Sequence, residues 1–87
     1  MQAGTAELGV LKDAVNLALS GDWHGAHHIA QDSNHPVAHW IHAVLHKIES
    51  DEWNSRYWYR RTDRRYEDFV DPRAELQAIL EHIDLQS

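Results

Sequence analysis

The chain has 87 residues, 43% hydrophobic and 25% charged, and a net charge of −6 with its histidines neutral. That length gives one domain whose single core is only marginally sufficient, with little material left to wall off a deep private pocket. The absence of cysteine excludes disulfides and thiolate metal sites, and the acidic balance argues against generic nucleic-acid binding.

In chain order, the spacing predicts a first helix from about Thr5 to Leu19. Thr5 is the expected cap, Glu7 suits the first turn, and Leu8, Leu11, Val15 and Ala18 form one apolar stripe. Ser20-Gly21-Asp22 ends it and opens helix two, Asp22 to Gln31, with Trp23, Ala26, Ile29 and Ala30 inward. Ser33-Asn34-His35 is a break, and Pro36 marks the first turn of helix three, which runs to about Glu49. Ser50-Asp51 turns the chain into helix four, Glu52 to about Arg61. Thr62 to Val70 is polar and irregular, with room for a short helical turn. Asp71-Pro72 then begins a last helix whose Leu76, Ile79, Leu80 and Ile83 follow the i, i+3, i+4, i+7 rule.

The expected fold is therefore all-α, a single domain over residues 1–87, with two antiparallel helical hairpins plus a C-terminal helix. No apolar run nears the roughly 18 residues of a membrane span. Met1 to Glu7 has neither a basic nor an apolar leader region, so a cytoplasmic protein is expected. The chain also echoes itself. Ser20-Gly-Asp-Trp and Ser50-Asp-Glu-Trp align at a spacing of 30, while a spacing of 29 pairs Asp22 with Asp51 and Ala26 with Ser55 about as well.

Asp51 through Thr62 resembles the turn and second helix of a tetratricopeptide repeat. The family's small and aromatic positions fall on Ser55, Tyr59 and Thr62, and Ala43 takes the small position of the preceding helix. Ser50 stands where the family has its turn glycine, and Ser and Thr replace its alanines. Ala26-His-His-Ile-Ala-Gln, Trp40-Ile-His-Ala-Val-Leu-His-Lys-Ile-Glu and Asn54-Ser-Arg-Tyr-Trp-Tyr-Arg-Arg are in turn similar to three blocks of a group of small uncharacterised helical proteins. The blocks cover about Gly21 to Thr62 here. This resemblance implies a fold and a focus, and no reaction.

Seven of the eight histidines lie between His24 and His46. Imidazole is the side chain that titrates, relays protons and binds metal near neutral pH. Protonating all eight would carry the net charge from −6 to +2. In helix three, Val37, Trp40, Ile41, Val44 and Ile48 share one face, while His39, His42 and His46 share the other, near Ala38 and Ala43. His42 and His46, one turn apart, have the spacing that lets two imidazoles share a zinc. His39 and His46 are about 10.5 Å apart along the axis, too far for one ion. His27, at the apolar edge of helix two, is the expected third ligand of a divalent transition metal such as zinc. Glu49 is a ligand, an orienter or a general base, so His42, His46 and Glu49 are also the candidates for acid–base catalysis. His24 and His28 are expected in solvent, His35 is outside the helix proper, and His82 has no assigned role. A packing role, with each ring nitrogen hydrogen-bonded, explains the same residues.

Arg56 to Arg65 places five arginines and three aromatics within ten residues. Arg56, Tyr57, Trp58, Arg60 and Arg61 could form a binding surface, because guanidinium forks grip carboxylates and phosphates while rings give them a surface to stack on. Against this, the arginines can be neutralised by Glu52, Asp63, Glu67 and Asp68, with Trp53 and Tyr59 filling the core. Three functions stand open. One is an interaction module that binds a protein partner or a second copy of itself through a helix-lined concave or aromatic surface. Another is a metal-dependent or His/Glu acid–base enzyme. The third is a pH- or metal-responsive regulatory protein.

Overall fold

In a computed structural model, which describes residues 3–86 and the side chains from residue 6 onward, the chain is helical throughout its ordered elements. They are α1 (Ala3–Leu19), α2 (Trp23–Gln31), α3 (Pro36–Ile48), α4 (Glu52–Tyr59), a single 3-10 turn (Tyr66–Asp68) and α5 (Pro72–Gln86). Hairpin α1/α2 stacks beside hairpin α3/α4, and α5 lies across α1 and α3. Helix α3 touches all four other helices and is buried on nearly every side. No helix among the described residues is long and apolar enough to cross a membrane.

The two hairpin turns obey one rule. Gly21 (φ 97°) and Ser50 (φ 63°) both take the left-handed conformation just past a helix end. At the first turn, Gly21 N donates to Ala18 O and Asp22 N to Leu17 O. At the second, Ser50 N donates to Lys47 O and Asp51 N to His46 O. This pair of bonds satisfies the last carbonyls of each helix and reverses the chain. Asp22 and Asp51 then cap the next helix, accepting from Gly25 N and Asn54 N. The equivalence sets the offset at 29 residues, Gly21 to Ser50, and not at 30. Serine holds a conformation that glycine adopts without cost.

That register corrects one expectation. Trp53 does not fill the core. At an offset of 29 the counterpart of Trp23 is Glu52, so Trp53 lies one step round the helix on the outer face, 72% exposed. Tyr59 is buried as expected. Ser55 is fully buried, and its hydroxyl donates to Ala43 O at 2.6 Å. Other differences are at helix ends. α1 begins at Ala3, so Thr5 is inside the helix rather than at its cap, and its side chain lies outside the described residues. α3 stops at Ile48, whose side chain is exposed, and α4 stops at Tyr59 because Thr62 Oγ1 takes the Tyr59 carbonyl.

The core is mostly aliphatic, built from Leu8, Leu11, Val15, Ile41, Leu45, Leu76, Ile79 and Ile83 with the rings of Trp40 and Tyr59, and it also holds one carboxylate, Glu75, which has no exposed surface. Glu75 Oε2 accepts from Trp40 Nε1 and Tyr59 Oη, each at 2.7 Å, and Oε1 accepts from Lys47 Nζ at 2.8 Å. Lys47 also donates to the carbonyls of Tyr66 and Phe69 at 3.0 Å, holding the 3-10 segment against α3. Its ammonium lies 4.9 Å from the ring centres of both Tyr59 and Tyr66. The tyrosine therefore stays protonated: burial, then the Glu75 hydrogen bond, drives its pKa upward. Every charge in this network is paired and hydrogen-bonded, the condition under which a buried ion pair is tolerated.

Removing one partner strands the rest. Glu75→Leu leaves a buried ammonium without a counter-charge and the Trp40 and Tyr59 donors without an acceptor, an expected loss of about 3–5 kcal/mol against a typical total of about 5–15 kcal/mol. Glu75→Gln keeps an oxygen acceptor and the volume, and loses less. Urea unfolding followed by circular dichroism measures both.

Candidate functional site

Helix α2 carries His27 on the edge facing α3. The cap at Asp22 fixes where α2 begins, and Ala26 and Ala30 are its buried small residues. Helix α3 presents His42 and His46 one turn apart on that side. His27 Nε2 and His42 Nε2 are 3.0 Å apart, a distance that requires one to donate and the other to accept. A nitrogen from each of His27, His42 and His46 lies within 4.8 Å of the other two. His46 Nδ1 is 2.6 Å from Glu49 Oε1, three residues on. Because that nitrogen donates to the carboxylate, Nε2 of His46 is left as a lone-pair donor.

Two indoles set the ring orientations. Trp23 stacks on His27 at 4.8 Å with 10° between planes, and its Nε1 donates to Leu45 O at 2.7 Å. Trp58 stacks on His42 at 3.9 Å and 16°. Neither indole was assigned to this site from the sequence, where Trp23 reads as core and Trp58 as part of a basic surface. The signal available was the pairing of each tryptophan with a histidine across a helix–helix contact, which helical wheels of single segments do not contain.

The electrostatics favour the neutral forms of His42 and His27. Burial, then the neighbouring imidazoles of His27, His46 and His39, push the His42 pKa down to about 3. Burial and then His46 lower His27, with Glu49 opposing. His42 Nδ1 is buried without a hydrogen-bond partner among the described residues. An unpaired acceptor is cheaper to bury than an unpaired donor of the same ring, so the favoured metal-free tautomer has His42 Nε2–H donating to His27 Nε2.

The remaining histidines separate as their positions dictate. His39 is outside the cluster, half-buried and stacked on Trp58 at 5.4 Å. His24 and His28 are exposed. His35 caps α3, its Nδ1 accepting from Val37 N at 3.1 Å, with the extended backbone (ψ 141°) that a following proline imposes. His82, given no role from sequence, sits edge-on to Trp40 and near Arg64. The arginine segment divides. Arg56 is taken by Glu52 and Glu67 at 2.7 Å, Arg64 pairs with Asp63 and Arg65 with Asp68. Arg61 instead lies over Tyr57 and Trp58, at 4.4 and 5.3 Å. Neither it nor Arg60 has a carboxylate partner among the described residues.

The lowered histidines make stability depend on pH. The unfolded chain protonates His42 near 6.5 and the folded chain only near about 3, so between these values the unfolded state binds more protons. Stability therefore falls as pH drops through that window, by up to about 1.4 kcal/mol per pH unit for His42. Urea midpoints of metal-free protein from about pH 7.5 to about pH 4 should fall, and His42→Asn should flatten the slope. No family model, curated protein or solved structure matches the chain, so what this site does rests on its own geometry.

Proposed function

We propose that the protein binds a divalent transition metal, of the zinc type, through His27, His42 and His46, with Glu49 orienting His46. The observation that carries this reading is the convergence of three imidazole nitrogens from two helices within 4.8 Å. Tetrahedral bonds of about 2.0–2.1 Å set ligand nitrogens about 3.3 Å apart. The 3.0 Å between His27 Nε2 and His42 Nε2 is close to that value, and a His46 nitrogen lies within 4.8 Å of both, which supports their sharing one ion. Depressed pKa values supply the neutral lone pairs that ligation needs, and without cysteine the donor set favours zinc, copper or nickel over softer thiophilic ions. The Glu49–His46 contact is the carboxylate–histidine arrangement that raises ligand basicity and fixes the tautomer.

Three protein ligands leave a fourth position for water or for a donor from a bound molecule, the pattern of catalytic rather than closed structural sites. Metal-bound water at that position would be acidified and nucleophilic. The enzyme reading therefore depends on the ion, and ion binding is the first thing to measure.

Untagged protein stripped by dialysis and titrated with zinc sulfate in a calorimeter should take up one ion per chain and gain thermal stability. His42→Ala and His27→Ala should abolish uptake, and Glu49→Gln should weaken it by about 10–100-fold. If no ion binds, and His42→Ala lowers only the melting temperature, the cluster is packing and the proposal fails.

A second reading, an interaction module, is favoured by the outer face of α4. Trp53 is 72% exposed and stacks on Tyr57 at 5.9 Å, giving a solvent-facing aromatic pair of the kind enriched at protein interfaces. Light scattering should report a dimer that Trp53→Ala dissociates, or else a monomer with this face open to another protein.

A further inference from the structure

A second concave site lies away from the histidine cluster. It is a cleft of about 570 Å³ between the start of α3, the chain just after α4 and the end of α5. Val37 and Trp40 form part of its wall, and Arg61, Arg64, His35 and His82 line it, with Asp63 its sole acidic residue. On a chain of net charge −6 this is a local reversal of sign.

Both guanidinium groups are held by rings rather than by strong ion pairs. Arg64 lies 4.1 Å from the Trp40 ring centre. Its carboxylate contact, Asp63, is 3.6 Å away with a side chain 95% exposed, a solvated pair worth little. Arg61 rests on Tyr57 and Trp58 and has no carboxylate partner among the described residues. Stacking leaves the edge N–H groups of a guanidinium available, and those edges are what grip an oxyanion. The end of α3 adds little, because the His35 ring already occupies Val37 N. The volume is that of a site for a small organic molecule, not for a bare ion.

We infer that this cleft binds a small organic anion, a phosphate or carboxylate carried on an aromatic or apolar body. Arg61 and Arg64 grip the oxyanion while the body lies against Pro36, the exposed apolar residue of the lining. His82, steadied by Gln86 at 2.5 Å, borders the same space. The cleft's lining includes none of His27, His42 and His46.

Metal-free protein titrated with AMP and with benzoate, followed by tryptophan emission and calorimetry, tests this. One or both should bind saturably, one per chain, and adenosine, which has the ring without the charge, should bind at least about tenfold more weakly. The stronger of the two names phosphate or carboxylate as the preferred group. Arg61→Ala and Arg64→Ala should each raise Kd about tenfold or more, with Arg61→Lys recovering only part because it lacks the fork. Circular dichroism of each variant shows that it is folded, and Arg61, exposed on the surface, is the variant least coupled to folding. Absence of saturable binding of both anions up to about 10 mM, or binding indifferent to Arg61→Ala in folded protein, overturns the inference.

Discussion

The carboxylate of Glu75 has no water to turn to, and the arrangement of three helices follows from that. It needs donors, and it finds them on α3 (Trp40 and Lys47) and α4 (Tyr59), while belonging to α5 itself. An aliphatic core would accept many relative rotations of these helices at similar cost, because hydrophobic burial is non-directional. A buried charge with three directed hydrogen bonds accepts very few. Lys47 extends the constraint to the 3-10 segment, whose carbonyls complete its donor set. The network gives a small helical stack one register.

On this frame the histidine cluster lies where two hairpins meet. Its imidazoles are shared between α2 and α3, so neither hairpin alone contains it. The turn that ends α3 is also close at hand: His46 lends its carbonyl to Asp51 N and its ring to Glu49. The same few residues thus finish one helix, start the next and orient an imidazole. The cleft beyond the other end of α3 is built differently, from cations resting on aromatic faces. One helix accordingly carries two chemically distinct surfaces at its two ends.

Much of this was legible in the sequence, for identifiable reasons. Helix bounds followed from Pro36, Pro72 and the Ser-Gly-Asp and Ser-Asp turns, since caps and breakers act locally. The gathering of His27 with His42 and His46 could be expected from helical periodicity and one assumed contact between neighbouring helices. Trp53 was misplaced because two internal alignments, one residue apart, look equally good as strings. The choice between them is made by backbone conformation at Gly21 and Ser50, and a serine does not advertise a left-handed φ. Glu75 was silent because a lone glutamate in an amphipathic helix reads as solvent-facing. Its counterpart, a lysine among the apolar residues of α3, was the available hint. Trp23 and Trp58 were missed as ring supports because stacking across helices depends on packing that no single-segment pattern encodes.

His46 and Lys47 are consecutive, and consecutive side chains on a helix diverge by about 100°. One points into the cluster of imidazoles, the other into the buried carboxylate. Turning α3 about its axis to suit a guest ion would drag the ammonium away from Glu75, Tyr66 and Phe69 together. The helix is thereby clamped from behind, and accommodation falls to side-chain torsions alone. If the cluster holds an ion, as proposed, its fit is set by the reach of three imidazoles on a backbone that does not turn.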